Sequence, residues 1–173
     1  VLHELDSLYA AFQEDAKSAY RDLYRQRYEE LYGFLRDEEP EEDELDELAE
    51  MYLAGMLDEP NEITKYAFEA ELKRKRDRAK EAINAVPTKA QKQIELDKAG
   101  RYVIQQEAWY SDFTSQAAEI QAMKDAGVKK VRRHEMKDDK VCKVCRKLDG
   151  RVYDIRRVPP PAHINCRAWY EPI

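Results

Sequence analysis

The chain has 173 residues, 38% of them charged, with a formal net charge of −6 and a mean hydropathy of −0.86. That length allows one domain of ordinary size, or a smaller domain with an extension. No run of 18 apolar residues occurs, so no membrane-spanning helix and no membrane partner are expected. No charged, apolar, then small-residue signal pattern opens the chain. It begins at Val1 rather than Met, as a piece of a longer protein would.

The first predicted element covers residues 2–36. Leu2, Leu5, Tyr9, Phe12, Ala16, Ala19, Leu23, Leu31 and Leu35 recur every three or four residues, with Tyr20, Tyr24, Tyr28 and Tyr32 four apart beside them. At 1.5 Å per residue this predicts about 50 Å of helix. The tyrosines read as a packing seam with polar tips, since platforms for stacked bases usually sit on sheets or in grooves. From Asp37 to Glu50, ten of fourteen residues are acidic and none is basic. Pro40 breaks the helix, and Leu45, Leu48, Met51, Tyr52 and Met56 resume the helical spacing. Carboxylates suit the positive end of a helix dipole, so a solvated helix start is the plain reading; a docking face for a basic partner is the sharper one.

Asp58-Glu59-Pro60-Asn61 is a break, with Asn61 as N-cap. Ile63, Tyr66, Ala67, Ala70, Ala79, Ala82 and Ile83 mark a third helix to about Ala85. Its cluster Lys73-Arg74-Lys75-Arg76, with Arg78 and Lys80, faces all directions on a helix, so part of this segment is expected to be exposed all round. Thr88 and Gln91 form a capping box for a last helix that runs through Ile94, Val103, Trp109, Tyr110, Phe113, Ala117, Ile120 and Met123 to about Ala126. Gly100 inside it costs roughly 1 kcal/mol relative to Ala, and Gly127 is its natural C-cap. Strands are expected at Val128–Met136, Arg151–Ile155 and Arg167–Glu171, enough for a small three-stranded sheet.

All three cysteines lie in the last 35 residues, as C-x2-C at Cys142 and Cys145, seventeen intervening residues, then H-x2-C at His163 and Cys166. Zinc binds thiolates and imidazoles tetrahedrally, usually in pairs supplied by two tight turns, and this spacing supplies both pairs. The ion expected is one structural Zn2+ held by Cys142, Cys145, His163 and Cys166, whose four ligands leave no position open for water. A disulfide framework would leave one thiol over, and haem attachment would need His where Arg146 stands. The alternative for the same spacing is three thiols packed as small apolar side chains. His134 is expected to be an exposed strand histidine rather than a fifth ligand. Reduced thiols fit assembly in a cytoplasm. Between the ligand pairs, Leu148-Asp149-Gly150 is a turn and Pro159-Pro160-Pro161 an extended spacer.

From Gly127 onward there are 13 Lys and Arg against 6 Asp and Glu, while the whole chain is acidic. Unlike surfaces suit unlike partners. Arg132, Arg133, Arg156 and Arg157 flank the expected sheet and are the candidate contacts for nucleic acid or a protein partner. No phosphate-cradling glycine loop and no nucleophile beside a histidine occurs, so no enzyme is expected.

The segments DDKVCKVCRKLDGRVYDI and PPPAHINCR resemble the C-terminal motif of the Mu F-like phage head morphogenesis family, the minor head proteins of tailed phages. The motif is matched by Asp138 or Asp139, Cys142, Cys145, Leu148, Asp149, Gly150, Pro160, His163, Asn165, Cys166 and Arg167. Ile164 stands where the family usually has Pro, and Ala168 where a last Cys often falls. The likeness covers about residues 125–170. It implies a structural protein of the virion, at the portal vertex or inside the capsid, contacting portal protein, major head protein and other copies of itself. It also implies possible contact with DNA without sequence preference.

The expected fold is α+β and mainly α. Residues 1–126 form an elongated helical stalk or bundle, and residues 127–173 a small zinc-stapled α+β module. From the residues alone, the alternative is a nucleic-acid-binding zinc module with a helical dimerisation stalk.

Overall fold

Helix α1 runs over Leu2–Arg36, the span that the apolar spacing predicts. The computed structural model describes residues 1–57, 68–159, 161 and 166–173. At the end of α1, Asp37 enters the left-handed region at φ 57° and its N–H donates to the Gly33 carbonyl at 2.9 Å. Asp is one of the few side chains that tolerates this conformation. Helix α2 follows at Glu42–Leu57, α3 at Phe68–Ala85 and α4 at Lys89–Asp125. The expected cap at Asn61, and Ile63, Tyr66 and Ala67, lie outside the described residues.

Both ends of α4 are set by local chemistry. Gln91 N–H donates to Thr88 Oγ1 and Thr88 N–H to Gln91 Oε1, each at 3.2 Å, so two otherwise orphaned donors are satisfied reciprocally. At the other end Gly127 takes φ 86°, its N–H reaches the Lys124 carbonyl, and Val128 N–H reaches the Met123 carbonyl at 2.9 Å. This is the paired-bond helix stop that favours glycine.

Two compact units divide the chain, one built from residues 1–20 and 51–108, the other from 21–50 and 109–173. The expected boundary at 126/127 marks the change from helix to strand. It does not separate the units, because the strands belong to the same unit as residues 21–50 and 109–126.

In the first unit Leu5, Tyr9, Leu72, Ile83 and Val103 are buried. Its basic cluster is partly internal: Arg74 forks onto the buried Glu71 at 2.7–2.8 Å, Lys75 lies over the Tyr102 ring, and Lys80 pairs with Asp6 at 2.7 Å.

In the second unit the tyrosine seam is buried at Tyr24 and Tyr28, with successive rings stacked from Tyr24 through Tyr32. Tyr28 Oη donates to Asp125 Oδ2 at 2.9 Å, and burial, then that bond, raises its pKa and keeps the donor protonated. Arg25 meets Asp46 at 2.8 Å and Glu42 at 3.4 Å, and Arg21 meets Glu50 at 3.2 Å. Part of the acidic run is thus answered within the unit by α1, with the two helices antiparallel.

The sheet of this unit has β1 at Lys130–His134, β2 at Val152–Asp154 and β3 at Trp169–Pro172, in the order β2-β1-β3, both pairings antiparallel. Val131 stands opposite Tyr153 on one side and Pro172 on the other, and Arg133 opposite Tyr170. Side chains alternate along a strand, so Val131 and Arg133 share the inward face while Lys130 and Arg132 face out. Met123, Val131, Ile155 and Tyr170 form the small core beneath, with Leu31, Leu35 and Ile120 packed against it. The protein is therefore mainly α and of the α+β class, with a three-stranded antiparallel sheet near its C-terminal end.

Candidate metal centre

The centre starts from one turn of helix, α5, at Lys143–Arg146. Cys142 is its N-cap, and Cys142 Sγ accepts the Cys145 N–H at 3.3 Å, so a C-x2-C segment folds its first sulfur back over its second residue pair. After the turn Gly150 takes φ 74°, as the sequence required, and its N–H donates to the Arg133 carbonyl at 2.8 Å.

The second arm is the segment entering β3. Arg167 forks onto Asp138 at 2.7 and 2.8 Å, and Gln116 of α4 donates from Nε2 to the Ala168 carbonyl at 3.0 Å. Those anchors bring Cys166 to Cys145 across 21 positions, with the two Sγ atoms 3.8 Å apart and both residues 2% exposed. A disulfide would need about 2.05 Å. Two thiolates on a tetrahedral zinc, with bonds of about 2.3 Å, stand about 3.8 Å apart. Burial, then the bond with Cys142 and the neighbouring Cys166 sulfur, pushes the Cys145 thiol up to about 12. An ion binding there must displace that proton.

Of the four expected ligands, the structure brings Cys145 and Cys166 together and ties Cys142 to the same turn; His163 lies outside the described residues. Glu135 was not among the candidates. One of its carboxylate oxygens and the sulfurs of Cys145 and Cys166 all lie within 4.8 Å of one another, a buried group that could hold a metal ion. The signal lies in the alternation of β1 continued one residue past its end: counting by two from Val131 reaches Arg133 and then Glu135.

Arg133, a candidate contact for nucleic acid or a partner, is instead 0% exposed, because it shares the inward face of β1 with Val131. Its Nε donates to Glu135 Oε1 at 2.7 Å, Nη1 to Tyr170 Oη at 3.1 Å and Nη2 to Cys166 Sγ at 3.3 Å, with Cys145 Sγ at 4.0 Å. Burial is the largest influence and opposes the charge, but Tyr170, Glu135 and Cys166 together outweigh it and raise the guanidinium pKa.

The other three arginines are exposed. Arg132 reaches Glu171 at 3.4 Å, and Arg156 forks onto Asp154 at 2.9–3.0 Å, holding that carboxyl well below its ordinary range. Arg157 has no ion pair among the described residues. His134 is half-buried rather than exposed. It stacks on Trp169 at 4.3 Å, with Nε2 at 2.9 Å from Glu171 Oε2.

No protein-family model matches the chain, and comparisons with curated proteins and with solved structures also return no match.

Proposed function

We propose that residues 127–173 are a structural zinc module with Cys142, Cys145, His163 and Cys166 as ligands, in a chain that serves as a minor head protein of a tailed phage. The observation that carries the metal reading is the 3.8 Å approach of Cys145 and Cys166, fixed by elements far apart in sequence. Sulfur donors at a tetrahedral edge favour zinc or another thiophilic ion over magnesium or calcium. With four protein ligands the shell is closed, so the ion staples and does not activate water, and the role is structural rather than catalytic. A small core such as this one gains most from such a staple, worth roughly 10–16 kcal/mol of apparent free energy.

The head-protein reading is supported by the C-terminal motif, whose residues have local work around the knuckle. Asp138 clamps Arg167, Asp149 Oδ1 accepts the Glu135 N–H at 3.0 Å, and Gly150 supplies the left-handed turn. The proposed partners are portal protein, major head protein and further copies of the chain, with DNA contacted, if at all, through its backbone. The proposed location is the portal vertex or capsid interior, after assembly in the host cytoplasm.

Elemental analysis of protein purified without added metal tests the first part: one zinc per chain is expected, and absence of every thiophilic metal overturns it. Co-purification with portal complexes at fixed stoichiometry tests the second. Normal heads formed in the protein's absence overturn that part.

A further inference from the structure

We infer that Arg133 is a positioning residue of the metal centre, orienting the two buried sulfurs of Cys145 and Cys166 and withholding the Glu135 carboxylate from the ion. This rests on the zinc reading above. A guanidinium is planar and offers donors in a rigid fork, which suits it to hold several acceptors at once. Here one guanidinium serves three kinds of acceptor: the Cys166 sulfur, the Glu135 carboxylate and the Tyr170 phenol. Tyr170 in turn donates to the Pro159 carbonyl at 3.1 Å, so the network joins β1, β3 and the chain ahead of the second ligand pair.

Geometry alone would let Glu135 ligate, since its oxygen belongs to the same group as the two sulfurs. Its pairing with Arg133 decides otherwise. The pair is 2.7 Å long with both side chains at 5% exposure or less, so the carboxylate is tied to a buried cation rather than left to approach an ion. A carboxylate released there would add an oxygen donor, and oxygen donors shift preference toward harder ions. Hydrogen-bond partners behind metal ligands orient them and are costly to remove. Arg133 fills that place for Cys166, and no lysine could span all three acceptors with one ammonium.

The test uses the full chain, stripped of metal and titrated with Co2+, reading both affinity and the thiolate-to-cobalt absorption. Arg133→Met is expected to lower affinity by about 10–100-fold and to shift the absorption as Glu135 enters the shell. Glu135→Gln is expected to keep the absorption, because no carboxylate is in the shell, and to lower affinity by less than Arg133→Met. Arg133→Lys should fall between wild type and Arg133→Met. If Arg133→Met does not fold, Arg133→Met with Glu135→Gln removes the uncompensated carboxylate; it should fold and still bind weakly. If that also fails, Arg133→Lys alone decides, and unaltered affinity in it overturns the inference. Unaltered affinity and absorption in Arg133→Met overturn it too, as does a loss in Glu135→Gln as large as in Cys145→Ser. Wild type that binds no cobalt instead overturns the zinc reading itself.

Discussion

Gln106 and Arg133 are both among the largest fully buried side chains, one in each compact unit, and they are treated in opposite ways. The Gln106 amide, in the helical unit, has neither its nitrogen nor its oxygen paired among the described residues. Arg133, in the unit that carries the sheet, has Glu135, Tyr170 and Cys166 around it. Apolar neighbours cannot pair an amide, so Gln106 carries the desolvation cost of its burial. In the sheet corner the guanidinium has a donor on each of three acceptors, although Gln116 Oε1 is unpaired among the described residues. The two side chains thus differ in polar matching: Gln106 is held by packing, and Arg133 belongs to a network that a metal ion would complete.

The largest effect should come from removing that completion. A chelator, or Cys145→Ser, is expected to release the ion and loosen residues 127–173 while most helical circular dichroism persists. His134→Ala should change metal affinity far less than Cys142→Ser, because His134 is engaged by Trp169 and Glu171. The reverse order in a zinc competition assay would mean that the wrong histidine had been excluded.

Next come two substitutions with opposite expected signs. Arg133→Met leaves Glu135 buried without its cation, and breaking a buried pair typically costs about 3–5 kcal/mol. Gln106→Met removes an amide without partners among the described residues and roughly keeps the side-chain volume, so it should stabilise by about 1–3 kcal/mol. Denaturant midpoints measure both. A destabilising Gln106→Met would show that the amide is satisfied after all, and the contrast between the two side chains would disappear.

The ease of reading these features from sequence follows their range. Helix α1, the Thr88–Gln91 box, the Gly127 stop and the Gly150 turn each depend on residues within a few positions of one another, and each was legible. The cysteine pairs were legible because metal ligation constrains spacing. Arg133 was misplaced because a charged residue is assigned to the surface unless its strand face is worked out, and its partners lie 2, 33 and 37 positions away. Glu135 was missed for the same reason. The internal use of the basic cluster on α3 also depends on distant partners, Asp6 and Tyr102, which no local pattern identifies.

A smaller effect tests the helical side alone. Thr88→Ala removes one half of the capping box at the start of α4 and should cost about 1 kcal/mol. The loss should appear as a lower thermal midpoint without a change in bound metal. Metal loss on this substitution would show that the two regions are more tightly coupled than their separate chemistries suggest.

The smallest effect on stability, and the one that bears most on function, is expected at Arg157. An exposed arginine without an ion pair among the described residues should tolerate Arg157→Glu within about 0.5 kcal/mol, so any functional change can be assigned to the surface it presents. Arg156 is a less clean probe because it is engaged by Asp154. If this edge touches DNA phosphates, the steepness with which affinity falls with salt should drop by about one charge in Arg157→Ala. If it meets carboxylates of a head protein or of a neighbouring copy, the salt dependence of DNA binding should stay the same while incorporation of Arg157→Glu into heads declines. The second outcome is expected, because Arg133 is withdrawn into the core and Arg132 and Arg156 already face carboxylates of their own chain. That leaves Arg157, among the described arginines of the sheet edge, as the guanidinium without an ion pair that could meet a protein. Tight, sequence-selective duplex binding at physiological salt that is abolished by Arg157→Ala would reverse the conclusion.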